Sequence, residues 1–147
     1  MARVTRERTI SAPSDEVWEL VSDPHSFARW WPATVRVEDA SPQSWTKVLR
    51  TPRGKTVRAD FTRSEYEPPR RIAWRQELEE SPFERIFSSA VTELELRSAE
   101  GGGTVVSLTF DERLRGINRF GGFLLRRASR RRLDEALDGL ERAVGRA

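Results

Sequence analysis

The chain has 147 residues, 37% of them hydrophobic and 33% charged, and its 26 basic and 23 acidic side chains leave a net charge of +3. With no cysteine and His25 as its single histidine, it has no disulfides, thiolate metal sites or cysteine nucleophiles, and no site built from several histidines. A serine triad would have to use His25. No stretch approaches the ~20 apolar residues of a membrane-spanning helix, and the charged start Ala2-Arg3-Val4-Thr5-Arg6-Glu7-Arg8 lacks a signal peptide's apolar run, so a soluble, cytoplasmic protein is expected.

Arg3–Ile10, with β-branched Val4, Thr5, Thr9 and Ile10, reads as a first strand. Pro13 suits a first helical turn, Asp15 and Glu16 suit the positive end of its dipole, and Val17, Leu20 and Val21 share a face. Asp23-Pro24 restarts a helix carrying Phe27, Trp30 and Trp31, which Pro32 should end. From Val35 the period becomes two. Strands are expected at Val35–Ala40, Trp45–Arg50, Lys55–Tyr66, Arg71–Glu79, Phe83–Arg97 and Thr104–Asp111, joined by short turns in an antiparallel meander. The Gly101-Gly102-Gly103 run is one of these turns, since it has neither the lysine nor the following helix of a phosphate loop. Helical spacing returns from Ile117 to Val144, with Phe120, Leu124, Leu133, Leu137, Leu140 and Val144 on one stripe. Gly121-Gly122 weakens the start of that helix by roughly 1 kcal/mol per glycine. The order β-α-α-β6-α describes a single domain spanning residues 1–147.

Pairing Tyr66 with Arg71 across the Glu67–Arg70 turn sets which side chains share a face. One face takes Val57, Ala59, Phe61, Ile72, Trp74 and Leu78, together with the polar Arg63, Glu65 and Gln76. Unpaired polar groups are costly in a dry core, so these either pair with one another or border water or a polar ligand. The other face, with Arg58, Asp60, Thr62, Ser64, Arg75, Glu77 and Glu79, is wet, and Tyr66 falls on it. In the last hairpin Leu94 and Leu96 join Val106, Leu108 and Phe110. Phe83, Phe87 and Val91 have the opposite parity, so a bulge is required between Ser88 and Glu93.

Ile10-Ser11-Ala12-Pro13, Val17-Trp18, Leu20-Val21, Asp23-Pro24, Phe27 and Trp30-Trp31-Pro32 resemble the opening of the START-related superfamily (SRPBCC), which includes bacterial polyketide cyclases and dehydrases. Glu67-Pro68-Pro69-Arg70-Arg71-Ile72 and Gly102-Gly103-Thr104-Val105-Val106 fit its hairpins. The resemblance covers nearly the whole chain and implies an α+β helix-grip fold: a seven-stranded curved antiparallel sheet, two short helices after strand 1, and a long C-terminal helix over a cavity. It implies tryptophan, tyrosine and arginine in the cavity of its cyclase members, with Trp30 or Trp31, Arg63 and Trp74 as the matching candidates here, while the only tyrosine, Tyr66, falls on the outer face and counts against a cyclase.

Phe61, Trp74 and Phe87 from the sheet, Trp31 from the second helix, and Phe120 and Leu124 from the last helix are expected to wall a pocket of roughly 300–1,000 Å³. Gln76 and Arg63 are its polar candidates. Trp74 has two open readings, core or cavity wall. Arg63 also has two, ligand anchor or salt bridge to Glu65 or a neighbouring strand. Trp18 reads as core and His25 as a surface residue. No carboxylate pair stands out as acid and base, and no catalytic residue, metal ligand or cofactor site is assigned. The expected function is binding, or transport, of an apolar small molecule such as a lipid or polyketide. The alternative is a polyketide cyclase or dehydratase in which Arg63 stabilises an enolate. Arg126–Arg132 reads as a solvated helix face rather than a nucleic-acid site, and the protein as a monomer or homodimer.

Overall fold

The computed structural model of the chain describes residues 2–116 and 119–144. Strand β1 (Ala2–Ile10) leads into α1 (Ser14–Val21), a 3-10 turn (Pro24–Ser26) and α2 (Phe27–Trp30). Strands β2 (Thr34–Glu38), β3 (Ser44–Arg50), β4 (Thr56–Glu67), β5 (Arg71–Glu77), β6 (Phe87–Ser98) and β7 (Thr104–Leu114) follow, and α3 (Arg119–Val144) is the last described element. The seven strands form one antiparallel sheet in the order β1-β7-β6-β5-β4-β3-β2, in which only β1 pairs out of sequence, with β7. The expected α+β helix-grip architecture is present.

Local chemistry explains the helix boundaries. Pro13, extended at φ −63° and ψ 150°, sits just before α1, and Asp15 and Glu16 occupy its first turn. The Asp23 carboxylate accepts from the His25 backbone N–H at 3.0 Å and so starts the second helical segment. Trp31 is extended ahead of Pro32, as a residue preceding proline should be. His25 is exposed, as expected.

Two bulges decide which side chains face α3. Arg63 opposes Trp74 and Phe61 opposes Gln76, as expected, but the register shifts at Ser64, so that Tyr66 opposes Ile72 and Glu65 opposes Ala73. An extra residue exchanges the two faces of a strand beyond it. Tyr66 is therefore turned to the concave side, 5.9 Å from the Trp18 ring. Glu65 moves to the convex side, where Arg71 holds it at 2.8 Å. The second bulge falls at Ser88, where the β6–β7 register shifts between Phe87 and Ser89. It reconciles an inward Phe87 with inward Ala90, Thr92 and Leu94. Val91 instead pairs with Arg75 on the convex face, contrary to the sequence expectation, and residues 83–86 form turns rather than strand.

Leu133, Ala136, Leu137 and Leu140 of α3 are fully buried against the sheet, and each leucine contributes roughly 1.5–3 kcal/mol by burial. Arg6 bonds Asp134 at 2.9 Å and Arg8 bonds Asp138, fastening β1 to the same helix. The N-terminal part of α3 does not continue this packing, because Phe123 and Leu124 are 50% and 48% exposed.

Candidate functional site

Strand alternation along β3 puts Trp45, Lys47 and Leu49 on one face, opposite Phe61, Ala59 and Val57 of β4. Beside them stand Trp74 and Gln76 of β5, Ala90 and Thr92 of β6, and Phe110 and Glu112 of β7. Trp31, at the end of α2, Arg132 of α3, and Phe83 and Phe87 complete the wall of a cavity of about 110 Å³. The expected volume was several times larger. The space is small because the rings lean on one another: Trp31 is 5.8 Å from Trp74 and 5.9 Å from Phe110, while Phe27 is 5.2 Å from Trp74.

Lys47 sits at the centre of this aromatic cluster. It is 1% exposed, and its Nζ lies 3.9 Å from the Phe27 ring centre, 4.2 Å from that of Trp31, 4.7 Å from that of Phe61 and 5.5 Å from that of Trp74. It has no hydrogen bond or ion pair with any described residue. Burial pushes its pKa well below the usual lysine value. The ring faces oppose that shift, each contributing about 0.5–2 kcal/mol to an ammonium. Removing an ammonium from water without a counter-charge costs several kcal/mol, and with no described carboxylate paired to the amine burial wins.

The remaining charges on the wall neutralise each other. Buried Glu112 accepts from the Ser129 hydroxyl at 2.9 Å and from Arg132 Nη2 at 2.9 Å, and the Arg132 guanidinium lies 4.7 Å from the Phe110 ring centre. Arg132 is thus part of the cavity wall rather than of a uniformly solvated basic run. Two further donors on the wall, Gln76 Nε2 and Trp74 Nε1, are buried without an acceptor among the described residues. Buried donors without partners are rare enough to require explanation.

Trp31, Phe61, Trp74, Gln76 and Phe87 are the sequence candidates that meet at the cavity. Trp74 is both core and wall, since it is 1% exposed and lines the space. Trp30 is buried core, stacked 5.6 Å from Phe27 and not on the cavity wall. Arg63 lies 3.8 Å over the Tyr66 ring. It borders a separate depression with Asp23, Pro24 and Pro42, so neither the anchor reading nor the Glu65 bridge describes it. Leu124 is exposed and absent from the wall, because it falls on the outward face of α3, between buried Gly122 and Ser129. The Phe120 side chain lies outside the described residues.

Lys47 and Glu112 were not singled out from sequence. Extending the strand register across the Pro52-Arg53-Gly54 turn would have placed Lys47 opposite Ala59, on the inner face. Larger depressions, such as one of about 550 Å³ bordered by Arg29, Arg50, Glu135, Asp138 and Arg142, lie at the surface among charged groups. Among the described residues no group of His, Asp and Glu could hold a metal ion, and no helix is long and apolar enough to cross a membrane.

A sheet gripping one long helix over an aromatic-walled cavity defines the START-like helix-grip class. Residues 1–145 match the family of polyketide cyclases/dehydrases and lipid-transport proteins, and the chain belongs to that family. Among solved structures it is similar to the di-domain ARO/CYC BexL, at 22% identity and a TM-score of 0.82 over 99% of this chain and 47% of that one. It is also similar to the Zhui aromatase/cyclase from a Streptomyces species, at 24% identity and a TM-score of 0.72 over 97% and 90% of the two chains. A START superfamily protein from Mycobacterium smegmatis matches at 14% identity and a TM-score of 0.77 over 97% and 98%. These likenesses establish the fold. No curated protein matches the chain.

Proposed function

We propose that the protein binds, and does not chemically fold, a small apolar molecule that carries an acceptor oxygen, seated among Trp31, Phe61, Trp74 and Phe87. The observation that carries this reading is an aromatic-rich wall with three donors that have no hydrogen-bond acceptor among the described residues: Lys47 Nζ, Gln76 Nε2 and Trp74 Nε1. A ligand oxygen would satisfy donors whose desolvation otherwise costs about 1–3 kcal/mol each. The family description includes lipid transport, which is binding without chemistry, although a full-length lipid would need the same widening of the cavity as a polyketide.

Cyclisation or dehydration of a polyketide is the second reading. It is favoured by the aromatase/cyclases among the similar structures and by a basic group on the cavity wall, Lys47 in place of Arg63. Size weighs against it. A cavity of about 110 Å³ is smaller than the ~150 Å³ that accepts benzene in an engineered core, so a polyketide would require the rings to swing apart.

Titration with short alcohols, followed through tryptophan emission, tests the binding reading. Saturable one-to-one binding is expected, and Ala90→Leu, which fills the cavity from β6, should abolish it in folded protein. A response that rises linearly without saturation, or one unchanged by Ala90→Leu, overturns it.

A further inference from the structure

We propose that Lys47 captures a small aldehyde or ketone covalently, as a Schiff base formed inside the aromatic cavity. The proposal rests on the binding reading above, which it extends from non-covalent uptake to a defined chemical class of ligand.

Three observations carry it. The first is the surroundings of the amine: four aromatic rings within 5.5 Å and, among the described residues, no carboxylate bonded to it and no hydrogen-bond partner. A structural lysine at a buried position is ordinarily paired, and this one is not. The second is the neighbouring donors, because Gln76 Nε2 and Trp74 Nε1 on the same wall are buried without acceptors. Donors of this kind suit a carbonyl oxygen, and still more the oxyanion that develops when an amine adds to it. The third is residue choice. The chain holds 24 arginines and only two lysines, Lys47 and Lys55. The basic residue placed in the core is a lysine, whose amine can lose its proton and act as a nucleophile, whereas a guanidinium stays protonated.

The chemistry balances without a co-reactant. The Lys47 nitrogen lone pair attacks the carbonyl carbon, forming the C–N bond, and the C=O π pair moves to oxygen. A proton passes from nitrogen to that oxygen, giving a carbinolamine. Loss of the hydroxyl group with the second nitrogen proton releases one water and leaves C=N. No atom is oxidised or reduced. Desolvation favours the neutral amine, the form that attacks. The other charged groups on the wall are Glu112 and Arg132, which are bonded to each other at 2.9 Å. A cavity of about 110 Å³ limits the ligand to a short chain or a small ring.

The test uses butanal with cyanoborohydride, which reduces the imine to a stable secondary amine, and 1-butanol as the matching non-carbonyl ligand. With only two lysines, peptide mapping by mass spectrometry separates Lys47, Lys55 and the terminal amine. Near neutral pH, butylation of Lys47 is expected at least about tenfold faster than that of Lys55, since each unit of pKa depression raises the neutral fraction about tenfold. Ala90→Leu should suppress the Lys47 adduct and leave Lys55 labelling unchanged. Lys47→Met should lose the adduct and leave Lys55 labelling unchanged. Saturable 1-butanol binding with no adduct, equal labelling of both lysines, or Lys47 labelling that persists in Ala90→Leu would overturn covalent capture and leave the binding reading standing. Absence of saturable binding by either compound in folded protein would remove the binding reading and the capture with it.

Discussion

The backbone carbonyl of Trp30 rests against Gly139 so closely that a Cβ at that glycine would overlap the carbonyl oxygen. This contact sets how near α2 approaches α3, and therefore how deeply Trp31 and Phe27 reach over the sheet. Gly139→Ala is accordingly expected to destabilise the fold by about 1–3 kcal/mol, the usual cost of forcing an extra methyl group into a packed interface. Backbone is the obstructing atom, so relaxation is limited. Denaturant unfolding checks this, and a change below about 0.5 kcal/mol would show that the helices can part freely.

Lys47 makes stability depend on pH in a direction that follows from its burial. Its pKa is lowered in the folded state, so between that value and the ordinary lysine value the unfolded chain binds the extra proton. Stability therefore rises with pH across this window, is fully present only above the unfolded lysine pKa of about 10.4, and is lost as pH falls toward the folded value. Lys47→Met should remove this slope and raise stability at neutral pH by about 1–3 kcal/mol, the scale for a desolvated polar group without a partner. Parallel pH–stability curves for wild type and Lys47→Met would contradict the assignment.

The arginine-rich segment of α3 should divide by contact rather than by charge. Arg131 is 83% exposed and its nearest carboxylate, on Glu135, is 3.8 Å away, so Arg131→Gln should stay within about 0.5 kcal/mol of wild type. Arg132→Gln strips a charged partner from Glu112, whose side chain is 7% exposed, and should cost about 1–3 kcal/mol. Chemical denaturation of the two variants side by side separates them. Equal effects would mean that Glu112 has no need of Arg132.

Trp74 supplies both core packing and cavity wall. Trp74→Ala is expected to cost about 3–5 kcal/mol, because the ring is 1% exposed and contacts Phe27, Trp31 and Trp45. Thermal unfolding measures this, and a loss under about 1 kcal/mol would assign the ring to the wall alone.

The elements and their order were legible in the sequence because period-two and period-3.6 patterns report one-sided burial directly. The seven strands and the need for a bulge between Ser88 and Glu93 came from that local information, while the START-like opening was a resemblance of motifs. What the tertiary structure alone decided was which polar residues end up inside. One extra residue at Ser64 turned Tyr66 inward and Glu65 outward, and no propensity marks such a bulge. Arg63 found an aromatic ring rather than a cavity, while Arg132, one of several arginines in an apparently uniform run, found the buried Glu112. Lys47 looked like an ordinary strand residue, since its alternation with Trp45 and Leu49 fixes a face but not what lies above it. Four rings from α2, β4 and β5 converge over its amine. Convergence between distant segments is a property of packing, and it is packing that enclosed this lysine among aromatic rings.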